Sequence, residues 1–419
     1  MRQTAAIGIS TYYGRTAIPK LTEQQLFYVL LEIECTKELE VKDLPPVHLC
    51  LVLDRSNSMR GERMDMVRAN ISEMIRKLRP KDTLSIVAFS DRAEVIVPAK
   101  DLSEIYAIES ALNQMPIGGA TEIFRGLDAG VEMIRRFSRN TIFKHLILIT
   151  DGHTYGDEEA CVELANGARV EGISINALGI GDEWNDSFLD RLAVSGGGNA
   201  VYVKTAEDLF GFIEQKLNSI QVNYARNVEM DFNLDEKVEM QLAFRIQPEV
   251  TPLEMKSPLP LGSIEYGKKT SIILEFKISP IEDNLEDYIF LRGKLLMEVP
   301  SLPIDVGRFP LKLRRPVRDQ YMAERPPTAI LQAMSRLTLY RLQEKARMEV
   351  NAGNIPKATR HLHHLATHLL SRGERELAKS VLIEAEHIQR THHFSREGDK
   401  KIKYGTRALL QLPQPESNT

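Results

Sequence analysis

The chain is predicted to be a doubly wound α/β domain inserted in a β-sandwich, with an α-helical region after it. Three observations carry that prediction. Between residues 45 and 220, short apolar runs alternate with amphipathic helical stretches. On either side lie strand-like runs broken by turn residues, several of them prolines. Beyond Pro326-Pro327 the apolar spacing becomes helical.

Residues 25–36 form a long strand candidate, the opening of the sandwich in residues 1–44. Runs rich in Val, Ile and Leu follow at 47–53, 84–89, 145–150 and 173–178. Helical spacing separates them, as in Met64, Val67, Ile71, Met74, Ile75 and Leu78. Continuously apolar strands between amphipathic helices imply a mostly parallel sheet covered on both faces. Such sheets bind ligands at the C-terminal ends of their strands.

Residues 221–320 return to short runs, at 239–246, 270–278, 288–298 and 306–313, many of alternating polarity. Pro248, Pro252, Pro258, Pro260 and Pro280 exclude long helices there. One strand before the α/β segment (45–220) and several after it suggest insertion into a single sandwich. In 326–411, Ile330, Ala333, Leu337 and Tyr340 share a helical face, and so do Ala358, Leu362, Leu365 and Leu369. Leu377, Val381, Leu382, Ala385 and Ile388 form a third, so a hairpin or small bundle is expected, with 412–419 as a loose tail.

The 419 residues, 43% hydrophobic and 27% charged, suit several globular domains and exclude general disorder. The net charge of −4 is unevenly spread. Residues 326–419 hold 15 basic and 9 acidic side chains, a net of +6, which leaves −10 for residues 1–325. That division argues against a chain-wide nucleic-acid binder. Cys35, Cys50 and Cys161 are too few for a disulfide framework. No stretch reads as a signal peptide or reaches the roughly 18 apolar residues of a membrane span. A reduced, cytoplasmic protein is expected.

The informative segment is Leu51-Val52-Leu53-Asp54-Arg55-Ser56-Asn57-Ser58-Met59, where an apolar strand runs into Asp-x-Ser-x-Ser. Spacing of two at a strand end aims three oxygen side chains at one spot. Gly118-Gly119-Ala120-Thr121 precedes a helix opening at Ile123, and Thr150-Asp151-Gly152 sets an acid just past a buried strand. All three lie on the sheet edge that binds ligands.

These motifs, in this order, resemble the metal-ion-dependent adhesion site of von Willebrand factor type A domains, over residues 45–220. Leu178-Gly179-Ile180-Gly181 and Ser195-Gly196-Gly197 resemble the back half of that Rossmann-like family. The resemblance implies Ser56 and Ser58 as direct hydroxyl ligands of a divalent cation and Thr121 as a third. It implies Asp54 and Asp151 acting mainly through bound waters. Mg²⁺ is the expected ion, with Mn²⁺ or Ca²⁺ as alternatives, because hard cations take oxygen ligands and Mg²⁺ keeps waters. Neutral hydroxyls leave the ion underneutralised, so the Asp or Glu of a protein partner can complete its shell. Arg55, Asn57 and His153 border the site as candidate partner contacts. Ala120 shifts the usual Gly-Gly-Thr spacing by one residue.

The layout is similar to that of inter-alpha-trypsin inhibitor heavy chains, integrin β-subunits and bacterial multi-domain proteins with a helical end. It implies a non-enzymatic, protein-binding scaffold, with an AAA+ ATPase or an assembly component as the partner suggested by family habit. A metal-dependent hydrolase is the alternative, and His153 is the nearest general-base candidate. No Gly-x-Ser-x-Gly, P-loop or His-Glu-x-x-His motif is present. The basic run Arg396, Lys400, Lys401, Lys403 and Arg407 reads as a solvated helix face, with an acidic partner or RNA as its functional alternative. Seven of the ten histidines lie between His361 and His393. His364 and His368 have zinc-compatible spacing but no cysteine nearby, and read as polar surface.

Overall fold

The structure, a computed structural model, describes residues 6–36, 44–137, 141–154, 156–248, 250–281, 285–302, 306–319 and 324–409. The expected tail at 412–419 lies outside them. Three strands come first: β1 (Ile7–Tyr13), β2 (Ile18–Pro19) and β3 (Gln25–Cys35). The α/β segment then runs β4 (Val47–Asp54), a 3-10 turn at Asn57–Met59, α1 (Glu62–Lys77), β5 (Thr83–Phe89), β6 (Ala93–Lys100), α2 (Ile105–Gln114) and α3 (Ile123–Phe137). It continues through β7 (Phe143–Thr150), α4 (Glu158–Val170), β8 (Ile173–Ile180), α5 (Asp186–Ser195), β9 (Gly197–Val203) and α6 (Ala206–Gln221). After it come β10 (Asn223–Leu234), β11 (Val238–Gln247), β12 (Thr251–Pro252), β13 (Leu259–Glu265), β14 (Lys269–Ile278), β15 (Asp287–Glu298) and β16 (Val306–Arg318). Four helices follow: α7 (Thr328–Asn351), α8 (Ile355–Ser371), α9 (Arg375–Thr391) and α10 (Arg396–Leu409).

The α/β segment forms a six-stranded sheet in the order β6-β5-β4-β7-β8-β9. Every pairing is parallel except β5 with β6. Central strands β4 and β7 are buried at all eight positions, because helices cover both faces. Leu49, Leu51 and Leu53 pack with Met64, Val67 and Ile71 of α1, while Cys50 and Val52 pack with Leu127 and Val131 of α3. This is the period-two alternation of a strand with two apolar sides. Small residues bring α3 close. A Cβ on Gly130 would lie 2.6 Å from Val52 Cγ2, and one on Gly126 2.4 Å from the Phe89 ring. That approach draws the start of α3 towards the strand ends.

The remaining strands make two five-stranded sheets, β1-β3-β14-β11-β12 and β13-β10-β15-β16-β2. Residues of both share one apolar core, in which Phe290 meets Phe27 and Phe276 edge-on at 5.6 and 5.4 Å. In chain order the six-stranded sheet falls between β3 and β10. Two expectations need correction. Three strands, not one, precede the α/β segment: β1 pairs antiparallel along β3, and β2 pairs with the end of β16. The last strand also runs past Leu313 through Arg314-Arg315-Pro316 to Arg318. It holds there because Arg315 stacks 3.4 Å over the Tyr13 ring and Val317 pairs with Ile18.

Helices α7 and α8 continue the outer face of the first sheet, where Leu30, Phe244 and Ile273 join Ile330, Leu337 and Leu362 in one cluster. His363, His364 and His368 are exposed, and no group of three metal-binding His, Cys, Asp or Glu side chains occurs among the described residues. The basic run on α10 is only in part a solvated face: Arg396 and Lys401 are exposed, but Lys400, Lys403 and Arg407 turn inward. Lys400 and Lys403 are 4% and 3% exposed. Lys400 Nζ lies 4.4 Å over the Trp184 ring and donates to the Trp184 carbonyl at 2.8 Å. Lys403 meets Asp190 at 2.7 Å, and Arg407 donates to both Asp190 oxygens at 2.9 Å. The acid these cations hold belongs to α5 of the same chain. No helix among the described residues is long and apolar enough to cross a membrane.

Candidate metal centre

At the C-terminal ends of β4 and β7 the chain gathers five oxygen side chains. Asp54 closes β4 and is fully buried. Its Oδ1 accepts from the Ser56 N–H at 2.8 Å, and its Oδ2 accepts from the Thr150 hydroxyl at 2.6 Å. Burial pushes its carboxyl up to about 6, against the opposing pull of the Thr150 and Ser56 hydrogen bonds. Ser56 precedes the 3-10 turn, which carries Ser58 over it. The two hydroxyls stand 3.0 Å apart, and Ser58 Oγ donates to Asp151 Oδ1 at 2.7 Å.

Thr121, 7% exposed, closes the set from the loop before α3. A Cβ on Gly152 would lie 3.3 Å from Thr121 Oγ1, so the hydroxyl sits close against the β7 turn. The glycine loop is tied to the first motif. Gly118 N–H donates to the Arg55 carbonyl at 2.8 Å, and the Asn57 N–H and side-chain amide both donate to the Gly119 carbonyl at 3.2 Å. Gly119 has φ +98°, and a Cβ there would lie 2.5 Å from Asp91 Oδ1. Despite the Ala120 shift, Thr121 lies beside Gly152, the residue after Asp151.

Three residues bordering the site fare differently. Asn57 is exposed but engaged with the glycine loop. Arg55 turns away to Glu94 at 2.9 Å, with its side chain 11% exposed, and is not presented to a partner. His153 is exposed on the loop after β7.

Sequence reasoning missed several supporting groups. Thr150, inside the quoted Thr-Asp-Gly string, donates to Asp54. Thr154 and Asp157 accept from the Ile123 and Phe124 N–H groups at 3.1 and 2.9 Å, capping α3 from another segment. Arg63, in the first turn of α1, pairs with Asp151 Oδ2. The site thus carries a cation of its own on one side. No spacing rule links position 63 to 151.

The donor set fits a hard divalent cation: two carboxylates and three hydroxyls, with no soft ligand. The buried Asp54 carboxylate supports this, since its ion is met only by neutral donors in the hydrogen bonds described above. Such a group favours an added positive charge.

Residues 48–216 match the family model described as von Willebrand factor type A domain, and residues 328–412 match Sll0103-like, C-terminal alpha-helical domain. The chain is 24% identical to "Uncharacterized protein sll0103" of Synechocystis sp. over 384 residues, covering 89% of this chain and 90% of that one. It is 25% identical over 256 residues to human inter-alpha-trypsin inhibitor heavy chain H4, but this spans only 27% of that protein. Among solved structures, a von Willebrand factor type A protein from Catenulispora acidiphila superposes with a TM-score of 0.76 at 14% identity, covering 97% of both chains. The ArnB paralog VWA2 from Sulfolobus acidocaldarius gives 0.61 at 15%, covering 96% of this chain and 99% of that one. Residues 48–216 thus carry a von Willebrand factor type A domain, and residues 328–412 a Sll0103-like helical domain.

Proposed function

We propose that this protein is a non-enzymatic binding scaffold that docks an acidic side chain of a protein partner at a metal-ion-dependent adhesion site. The observation that carries the reading is the chain of oxygens in which Ser58 lies within hydrogen-bond reach of both Ser56 and Asp151, with the buried Asp54 bonded to the Ser56 N–H. A divalent cation, Mg²⁺ foremost, would be held there by Asp54, Ser56, Ser58, Thr121 and Asp151. When bound, it supplies an open position for a carboxylate oxygen. The chain's own residues do the rest. Thr150 and the Ser56 N–H fix both oxygens of Asp54, so the carboxylate cannot swing away. The Asn57 bonds to Gly119 hold the loop that carries Thr121. Asn57 and His153, both exposed, form a polar rim for the partner. Cys35, Cys50 and Cys161 form no disulfide among the described residues, and Cys50 and Cys161 are buried, which suits the reducing cytoplasm we assign to the protein.

The test is a pull-down from native lysate with Mg²⁺ or with EDTA, repeated with Ser56→Ala/Ser58→Ala. A partner retained only by the wild-type protein in Mg²⁺ supports the reading. Equal retention in EDTA and by the double variant removes the metal from the interaction.

A further inference from the structure

The N-terminal ends of β7 and β8 face β10, β11 and β13 across a cleft of about 90 Å³. It lies at the opposite end of the six-stranded sheet from Asp54 and Asp151, about 25 Å away along an eight-residue strand. Four cationic side chains line it: Lys144 of β7, Arg169 of α4, Arg226 of β10 and Arg245 of β11. Among the described lining residues the only acidic side chain is Glu254, which is exposed. Arg226 donates to Glu298 at 2.8 Å and Arg169 meets Glu229 at 3.3 Å, so these two are partly neutralised. Arg245 and Lys144 are 6% and 8% exposed. They reach the main-chain carbonyls of Leu261 at 2.9 Å and Glu171 at 3.5 Å.

The arginines sit in purpose-made space. Gly262, Gly172 and Gly197 all have left-handed backbones, with φ of +94°, +75° and +74°. A Cβ on them would lie 2.2 Å from Arg245 Nη1, 3.0 Å from Arg226 Nε and 3.3 Å from Arg169 Cδ, respectively. Between these cations, His145 and Asn223 are 5% and 2% exposed and line the same cleft. His145 Nε2 and Asn223 Nδ2 are 2.9 Å apart, which leaves His145 Nδ1 and Asn223 Oδ1 buried without a hydrogen-bond partner. With the amide donating to Nε2, Nδ1 carries the proton and is an unused donor, while Asn223 Oδ1 is an unused acceptor. Buried polar groups left this way call for a ligand that both accepts and donates.

We propose that the cleft binds a small oxyanion of the phosphate class. A tetrahedral oxyanion accepts from several directions at once, which suits the cations and the His145 N–H. Its protonated oxygen can donate to Asn223 Oδ1, which a fully ionised sulfate cannot do. Its source is either free phosphate or the phosphate group of a metabolite.

The test is isothermal titration of the full chain with inorganic phosphate, glycerol phosphate and sulfate at matched ionic strength. Thermal melts in phosphate against sodium chloride give a second readout that needs no variant. One site for phosphate is expected, with sulfate at least about tenfold weaker and Lys144→Met or Arg245→Gln each losing about tenfold or more. Tighter binding of glycerol phosphate than of phosphate assigns the metabolite source, and the reverse assigns free phosphate. No heat and no melting shift in phosphate would overturn the proposal. So would sulfate binding as tightly, or folded variants that bind like the wild type.

Discussion

Replacing Asp54 by Asn should make the metal-free protein more stable at neutral pH while removing its response to Mg²⁺. Asp54 is fully buried, and burial raises its carboxyl from 3.8 to about 6 despite the hydrogen bonds from Thr150 and Ser56. The folded chain therefore holds this proton more tightly than the unfolded chain. The associated stability is complete below about pH 4 and is lost as pH rises through about 6. That rise converts to about 3 kcal/mol of lost stability by neutral pH. Asn keeps the shape but cannot ionise. Its amide would have to donate to Thr150 Oγ1, which already accepts from the Gly152 N–H at 3.2 Å, and this realignment gives back about 1 kcal/mol. The net gain is about 2 kcal/mol. Urea unfolding in EDTA at pH 4.5 and pH 7.5 measures it directly. The variant should match the wild type at the lower pH and exceed it at the higher. Mg²⁺ at about a hundred times its Kd should then add about 2.7 kcal/mol to the wild type and nothing to the variant. A variant less stable than the wild type at pH 7.5 in EDTA, or a gap independent of pH, would refute the reasoning.

Three further outcomes are expected. Arg63→Gln removes the guanidinium from Asp151, and with it a repulsion worth about 1–2 kcal/mol against an incoming cation, so Mg²⁺ titration should show affinity tightened by about tenfold; weaker binding would count against a site built for a cation. The α10 contact should open in acid. Burial raises the Asp190 carboxyl, but Arg407 and Lys403 outweigh it and hold the group below its ordinary 3.8. Its stability is complete above that value and is lost as pH falls below it. Trp184 is the only tryptophan and lies against Lys400 and Tyr404, so its emission should shift red below about pH 4. Asp190→Asn leaves the half-buried Arg407 without its carboxylate and the buried Lys403 with Asp186 alone, and should lower unfolding free energy by about 3 kcal/mol, read by urea titration; an unchanged midpoint would show that the contact carries no energy.

What could be read from the sequence was local. Asp54, Ser56 and Ser58 follow an apolar strand within five residues, so a strand end alone predicts where they meet. Asp151 and Thr121 were legible because each sits at a turn next to a strongly apolar or helical run. The Arg63 pairing with Asp151 and the capping of α3 by Thr154 and Asp157 were not, since each joins segments that no periodicity connects. The same holds for α10. A run such as Lys400-Lys401-x-Lys403 reads as solvent-facing when its partner acids stand 217 residues away. Strands β1 and β2 escaped because the first is only half-buried along its length and the second is two residues long. Their pairing partners, not their own patterns, make them strands.

The proposed function requires Asp54, Ser56, Ser58, Thr121 and Asp151 to form one cation site. Isothermal titration of Mg²⁺ into EDTA-stripped protein tests that most directly. One site per chain is predicted, absent from a folded Ser56→Ala/Ser58→Ala variant. No binding at millimolar Mg²⁺, or the same site in the double variant, would contradict it.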